Sequence, residues 1–165
     1  MKQIVLTGTG GQGLILAGII LAEAAVLDGK QAIQTQSYGP EARGGASKAE
    51  VLIADEPIDY PKVQKADTVL AMSQEAFNKY SAAAGEGAKL IVDSTFVREL
   101  KETKAQLIAL PITKAAREEL GRDMFANIIA LGAIVGLTGT VSRDSLEKAV
   151  LDRVPKGTED KNRKA

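Results

Sequence analysis

The sequence predicts an α/β protein whose open, mostly parallel sheet carries helices on both faces. Short β-rich runs alternate with helix-forming runs along most of the chain. A glycine cluster over residues 8–13 separates the first of these strands from the first helix. The length of 165 residues, 45% of them hydrophobic, suits one domain with a substantial core. We therefore expect a single Rossmann-like domain over residues 1–155, followed by a polar tail over 156–165.

The first half of the chain supplies three strands and one long helix. Lys2–Leu6 is a short β-rich run, and Leu14–Leu27 is a helix-forming run that is apolar nearly all round. Asp28-Gly29 ends that helix. Gln31–Gln36 is predicted to be a strand although it is unusually polar, and Lys48–Ala54 alternates loosely, as a strand near the sheet edge would.

The middle of the chain continues the alternation. Asp67–Met72 is an uninterrupted buried-strand run. Ser73 is a helix N-cap for the predicted helix Gln74–Ala84. Lys89–Val92 and Gln106–Leu110 are the last two predicted strands, and Pro111 closes the second of them.

The last third of the chain is predicted to be helical. The helices cover about Thr113–Leu120, Asp123–Leu137 and Ser142–Leu151, and Pro155 follows the third. Residues 156–165 are almost without apolar side chains. We therefore expect this tail to be frayed, or docked on something outside the chain.

The composition excludes several kinds of chemistry. Without cysteine or histidine, the chain cannot hold an iron–sulfur cluster through thiolates or a zinc ion through imidazoles. We expect no catalytic residue and no metal site in this chain alone. Zero formal net charge gives no broad field to attract nucleic acid or an anionic membrane. The longest apolar runs are shorter than the ~18 residues of a membrane span, which favours a cytoplasmic protein.

The first candidate binding site follows the first predicted strand and comprises Gly8, Thr9, Gly10, Gly11, Gln12 and Gly13. This segment matches the dinucleotide-binding fingerprint, in which glycines allow a tight turn and a close approach of the ligand. The N–H groups at the following helix start favour a phosphate, and Thr7 and Thr9 add hydroxyl donors. The alternatives are a partner's loop at this turn, or glycines that serve only helix–strand packing.

The second half of that fingerprint is absent. An NAD site places Asp or Glu about 20 residues later, at the end of the second strand. Ile33–Ser37 contains neither an acid nor an arginine. An ordinary nicotinamide site is therefore disfavoured, and another phosphate-bearing ligand stays open.

The second candidate site is the loop after the second strand, with Tyr38, Glu41, Arg43, Gly44 and Gly45. Loops that follow the first two strands of an open α/β sheet both lie at its carboxyl edge. The planar guanidinium of Arg43 suits a phosphate or a carboxylate. The alternative is a surface turn with an exposed Glu41–Arg43 pair and no function.

Together, the two segments resemble the gamma subunit of 2-oxoacid:ferredoxin oxidoreductases. The resemblance rests on Gly8–Gly13 followed by Gln36–Gly45, and it covers nearly the whole chain. Further positions fit the family's pattern, namely Ser47, Pro57-Ile58, Ala66-Asp67 and Asn127. The tail resembles the family's C-terminal region, which usually runs a few residues further.

The resemblance implies a non-catalytic subunit of an enzyme that oxidatively decarboxylates a 2-oxoacid, forms an acyl-coenzyme A and passes electrons to ferredoxin. It implies catalytic alpha and beta subunits as partners, with a ferredoxin-like subunit in some complexes. The resemblance also implies that thiamine diphosphate and the iron–sulfur clusters are held by those partners, and that this chain holds no cofactor alone. Coenzyme A is implied at the subunit interface, with Gly10–Gly13 at its phosphates and Arg43 at a phosphate or a neighbouring subunit. Among several 2-oxoacids, 2-oxoglutarate is preferred.

Other hypotheses stay open at this point. The chain could be a free-standing nicotinamide-dependent enzyme, or a separate nucleotide- or coenzyme A-binding module. Gly132 and Gly136 predict a close helix contact, with another subunit or, as we prefer, with this domain's own sheet. Asp93-Ser94-Thr95 either lines the site or, as we prefer, caps the element that follows.

Overall fold

The computed structural model describes residues 1–37 and 45–165. Within them, the strands are β1 (Lys2–Thr9), β2 (Gln31–Ser37), β3 (Ala46–Ala54), β4 (Ala66–Ala71), β5 (Ala84–Asp93) and β6 (Gln106–Leu110). The helices are α1 (Leu14–Leu27), α2 (Gln74–Tyr80), α3 (Ile112–Leu120), α4 (Ala126–Thr138), α5 (Arg143–Arg153) and α6 (Glu159–Lys164). The predicted alternation of strands and helices is confirmed.

The described strands form one sheet in the order β2-β3-β1-β4-β5-β6. β1, β4, β5 and β6 are parallel neighbours, whereas β3 runs antiparallel to both β1 and β2. All the described strands except β3 therefore point the same way, which confirms the mostly parallel sheet. β3 lies next to the edge strand β2, in agreement with its predicted position near the sheet edge.

Side chains alternate along the strands and feed a core on each face of the sheet. Ile4 and Leu6 of β1 belong to the larger core, beneath α1, α3, α4 and α5. Val5 belongs to the smaller core, where Phe77 of α2 is completely buried. Burial of one such ring stabilises the fold by about 2–3 kcal/mol. Helices on both faces were predicted and are confirmed.

The boundary between α2 and β5 differs from the prediction. A 3-10 turn over Ser81–Ala83 follows α2, and Ala84 already pairs with Ala66 of β4. Gly87 has a φ of 82°, which a continuing helix does not allow. The predicted helix to residue 84 is therefore too long, and the strand begins five residues before Lys89.

The tail also differs from the expectation that it would fray. It forms α6, in which Asn162 is buried and its side-chain amide donates to the Thr158 carbonyl at 3.0 Å. Arg163 pairs with Glu147 of α5 at 3.1 Å. The polar composition of the tail gives no amphipathic pattern from which this helix could be predicted. One buried side chain and a few ion pairs hold the short helix against the domain.

Candidate functional site

The glycine turn joins β1 to α1. Gly11 and Gly13 have φ values of 88° and 74°, a left-handed conformation that favours glycine. A Cβ placed on Gly10 or Gly11 would meet no atom of the described residues within 4 Å, so this side of the turn is open with respect to residues 1–37 and 45–165. Among the residues that the structure describes, no side chain caps the start of α1. Because the first N–H groups of a helix have no partner within it, those of α1 are suited to an anion.

The side chain of Gln12 holds the turn from inside. Its Oε1 accepts from the Thr9 N–H at 2.7 Å, and its Nε2 donates to the Met72 carbonyl at 3.0 Å. A Cβ on Gly8 would lie 2.3 Å from the same Oε1. Gln12 therefore links the turn to the end of β4. The Thr9 N–H already donates to Gln12 and is not available to a ligand.

Two further polar side chains fix the ends of the turn. The Ser47 hydroxyl, at the start of β3, donates to the Gly8 carbonyl at 3.3 Å. The Asn127 amide, in the first turn of α4, donates to the Gly13 carbonyl at 3.2 Å. Neither positioning role has a local signal in the sequence, where Ser47 and Asn127 only fit the pattern of a family.

Thr7 does not offer its hydroxyl to a ligand, contrary to the expectation. The residue is fully buried, and its Oγ1 donates to the Leu70 carbonyl at 2.7 Å. It joins β1 to β4 beneath the turn. Thr7 therefore supplies no hydroxyl donor at the surface of the turn.

The two candidate segments leave the sheet at the same edge. Ser37, the last residue of β2, pairs with Lys48, while Ala46 at the start of β3 pairs with Thr9. Gly45 is half-buried at this edge. The remaining predicted site residues of the second loop lie outside the described residues: Tyr38, Glu41, Arg43 and Gly44.

The inserted strand explains the missing half of the dinucleotide fingerprint. In the usual dinucleotide fold, the second strand lies directly beside the first, and its final acid holds a ribose. Here β3 separates β2 from β1. Because neighbouring strands lie about 4.8 Å apart, the end of β2 is about 10 Å from the end of β1. An acid on β2 would be poorly placed for that ribose, in agreement with its absence from residues 33–37.

Lys48 brings a positive charge to this part of the sheet, but the charge is largely neutralised. Its ammonium lies 2.8 Å from the Glu50 carboxylate and 5.8 Å from the centre of the Tyr80 ring. Burial raises the pKa of Glu50, yet the hydrogen bonds from Lys48 and the Val63 N–H outweigh burial, and the pKa is lowered overall. Glu50 therefore stays ionised and forms an ion pair with Lys48.

Asp93 has a capping role at the same edge. Its buried carboxylate accepts from the Thr113 N–H at 3.2 Å and from the Thr113 hydroxyl at 2.5 Å. The Thr95 hydroxyl accepts from the Lys114 N–H at 2.9 Å. The preferred interpretation, a capping role, is confirmed, but the capped helix is α3, which comes after β6 and not directly after Asp93.

The preferred interpretation of the glycine pair in α4 is wrong. Gly132 and Gly136 are exposed and, together with Ile128, line a groove that α4 forms with α5 and α6. A Cβ on Gly132 would lie 3.7 Å from the Ala165 carbonyl oxygen, and one on Gly136 would meet nothing within 4 Å. Neither glycine is needed for packing on the sheet.

Residues 1–37 and 45–165 contain neither a metal-binding cluster nor a membrane-spanning helix. These residues contain no group of three or more acidic side chains arranged to hold a metal ion. None of the described helices combines the length and the apolar character needed to cross a bilayer.

The chain is similar to proteins of known function along nearly its whole length. A family model described as pyruvate ferredoxin/flavodoxin oxidoreductase matches residues 3–165. The 2-oxoglutarate synthase subunit KorC of Methanocaldococcus jannaschii is 54% identical over 98% of this chain and 88% of that protein. The pyruvate/ketoisovalerate oxidoreductases common subunit gamma of Thermococcus litoralis is 34% identical over 100% of this chain and 93% of that protein. The crystal structure of a keto/oxoacid ferredoxin oxidoreductase gamma subunit from Geobacter sulfurreducens is 53% identical, with a TM-score of 0.90, over 99% of this chain and 93% of that one.

Proposed function

The chain belongs to the pyruvate ferredoxin/flavodoxin oxidoreductase family, and we propose that it acts there as a gamma subunit that helps to hold coenzyme A. The complete enzyme would oxidise 2-oxoglutarate, because the KorC relative is a subunit of 2-oxoglutarate synthase. A relative that is common to pyruvate and ketoisovalerate oxidoreductases supports a subunit that does not itself select the 2-oxoacid.

The proposal assigns the chemistry to partner chains. Without cysteine or histidine, this chain contributes neither thiolate ligands for a cluster nor an imidazole base. Catalytic alpha and beta subunits would hold thiamine diphosphate and the iron–sulfur clusters, and ferredoxin would receive the electrons. This chain would bind and orient coenzyme A and would assemble with the catalytic subunits.

The glycine turn is the observation that supports coenzyme A. The ligand carries a pyrophosphate, and open backbone at Gly10 and Gly11 lets such a group approach closely. The uncapped start of α1 adds N–H groups and the positive end of its dipole. Arg43, six residues after the end of β2 in sequence, would add a cation from the second loop.

The test uses the assembled enzyme, purified through an affinity tag on this chain. Gly10→Asp places a carboxylate on the open side of the turn, where it would repel the pyrophosphate. We expect the KM for coenzyme A to rise about tenfold or more, with kcat at saturating coenzyme A retained. Reduction of ferredoxin with 2-oxoglutarate measures both constants, and Arg43→Ala is expected to raise the same KM.

Gly10→Ala is the matched control, since a methyl group there meets nothing within 4 Å. An unchanged KM in Gly10→Asp would remove coenzyme A from the glycine turn while leaving the subunit role intact. Failure of thiamine- and cluster-carrying chains to copurify with the tagged chain would instead overturn the subunit role.

A further inference from the structure

The order of the strands reverses between β1 and β4. These two strands are parallel neighbours, and the chain continues from β1 toward β2 on one side but from β4 toward β5 on the other. The helix after β1, α1, packs in the larger core, whereas the helix after β4, α2, packs in the smaller core on the opposite face. In open α/β sheets, a dinucleotide binds in the crevice at the carboxyl ends of two such strands. The corresponding place in this fold is the crevice between the ends of β1 and β4.

The side chain of Gln12 occupies this crevice. It is half-buried and joins the Thr9 N–H, at the end of β1, to the Met72 carbonyl, directly after β4. A Cβ on Gly8 would lie 2.3 Å from the Gln12 Oε1 and 3.1 Å from the Met72 Cβ, so little space remains beside the amide. The two backbone groups that a ligand in the crevice would meet are therefore already bonded to Gln12.

The helix starts on the β4 side of the crevice are also engaged. The Ser73 hydroxyl accepts from the Ala76 N–H in the first turn of α2 at 3.1 Å. The Asp93 carboxylate accepts from the Thr113 N–H in the first turn of α3 at 3.2 Å. A dinucleotide that lay across β4 and β5 would therefore compete with the protein's own side chains for donors at both helix starts.

We propose that Gln12 determines the specificity of the glycine turn by closing this crevice to dinucleotides. Because the amide fills the space between β1 and β4, a pyrophosphate approaches the turn at Gly10 and Gly11, on the side that is open with respect to the described residues. Specificity of this kind comes from excluding a wrong ligand rather than from added contacts to the right one. The inference rests on the proposed function where it brings a pyrophosphate to the turn, and it goes further by naming the class of ligand that is excluded.

Equilibrium binding of NADH to the purified chain, followed by NADH fluorescence, tests the proposal. Gln12→Ala empties the crevice, and we expect it to bind NADH about tenfold or more tighter than the wild type does. Gln12→Asn, which is one methylene shorter and cannot span the crevice, should show a gain in the same direction. Thermal unfolding establishes that each variant is folded, and the second variant keeps the test open if the first is unstable.

Gln12→Met is the matched control. Its flexible side chain has a similar length and fills the crevice without the two hydrogen bonds, so it should bind NADH as weakly as the wild type. Equal binding by the wild type and the folded alanine or asparagine variant would overturn the proposal. Binding by Gln12→Met that is as tight as that of Gln12→Ala would also overturn it, because the lost hydrogen bonds rather than the opened space would then explain the gain.

Failure of this inference and failure of the proposed function are distinguishable. The proposed function is tested at Gly10 with coenzyme A in the assembled enzyme, whereas the present test changes Gln12 and measures NADH on the chain by itself. An unchanged KM for coenzyme A in Gly10→Asp would leave the exclusion of NADH by Gln12 as a separate result.

Discussion

The side-chain amide of Asn127 donates to the carbonyl of Gly13 at 3.2 Å, across 114 residues of sequence. This bond ties the first turn of α4 to the start of α1. A Cβ on Gly13 would lie 2.5 Å from the same nitrogen. Glycine at residue 13 is therefore required for two reasons, the left-handed backbone and the room that the Asn127 amide occupies.

Gly13→Ala is expected to lower the free energy of unfolding by about 2–4 kcal/mol, because the backbone strain at φ 74° and the contact with Asn127 add together. Gly10→Ala should change it by less than about 1 kcal/mol, since the added methyl group is unhindered. Urea unfolding of both variants measures the difference. Adding Asn127→Ala to Gly13→Ala should recover part of the loss. Equal stability of the two single variants would contradict the packing described for this turn.

Gln12→Glu tests the bridge between the turn and β4. The carboxylate can still accept from the Thr9 N–H, but its second oxygen would face the Met72 carbonyl, to which the amide now donates at 3.0 Å. We expect a loss of about 1–3 kcal/mol in the free energy of unfolding at neutral pH. The loss should diminish in acid, where a protonated carboxyl can donate again. A loss that does not depend on pH would mean that the Met72 contact is unimportant.

Asp28 links the end of α1 to the start of α5 and should make stability depend on pH. Hydrogen bonds from the hydroxyl of Ser145, and then from the hydroxyl and N–H of Ser142, lower the pKa of Asp28 below 3.8. A carboxyl with a lowered pKa in the folded state stabilises the fold fully above its unfolded pKa. That contribution is lost as the pH falls through the folded value.

Asp28→Asn should therefore cost about 1–2 kcal/mol at pH 7 and progressively less below about pH 4. Chemical unfolding of the wild type and the variant at several pH values measures this difference. The exposed Asp59→Asn serves as the control and should show little difference throughout. A cost for Asp28→Asn that is constant with pH would refute the ionic character of this link.

Gly136→Ala is expected to raise the free energy of unfolding by up to about 1 kcal/mol, because alanine favours the helix and the added methyl group meets no neighbour. Thermal unfolding of the chain alone measures this gain. If the same variant copurifies with less catalytic subunit, the glycine serves a close contact in the complex. A destabilised chain would show that Gly136 packs within the domain after all.

Local patterns made most of the fold predictable. The strand–glycine–helix order at residues 2–27 is a local signal, and it located the glycine turn correctly. The antiparallel insertion of β3 between β2 and β1 could not be predicted from residues 46–54 alone, because strand pairing depends on segments that are distant in the sequence. The roles of Ser47 and Asn127 were hidden for the same reason. One hydroxyl or amide has no periodicity, and its partner carbonyl lies far away in the chain. The short helix α6 has too little apolar content to be recognised.

The anchors of the glycine turn also order events during synthesis. Residues 8–13 leave the ribosome before Ser47, Met72 and Asn127, the residues that hold them. All three anchors of the turn are therefore in place only after Asn127 has been synthesised. We expect a ligand or subunit that recognises this turn to bind poorly to chains that end before residue 127.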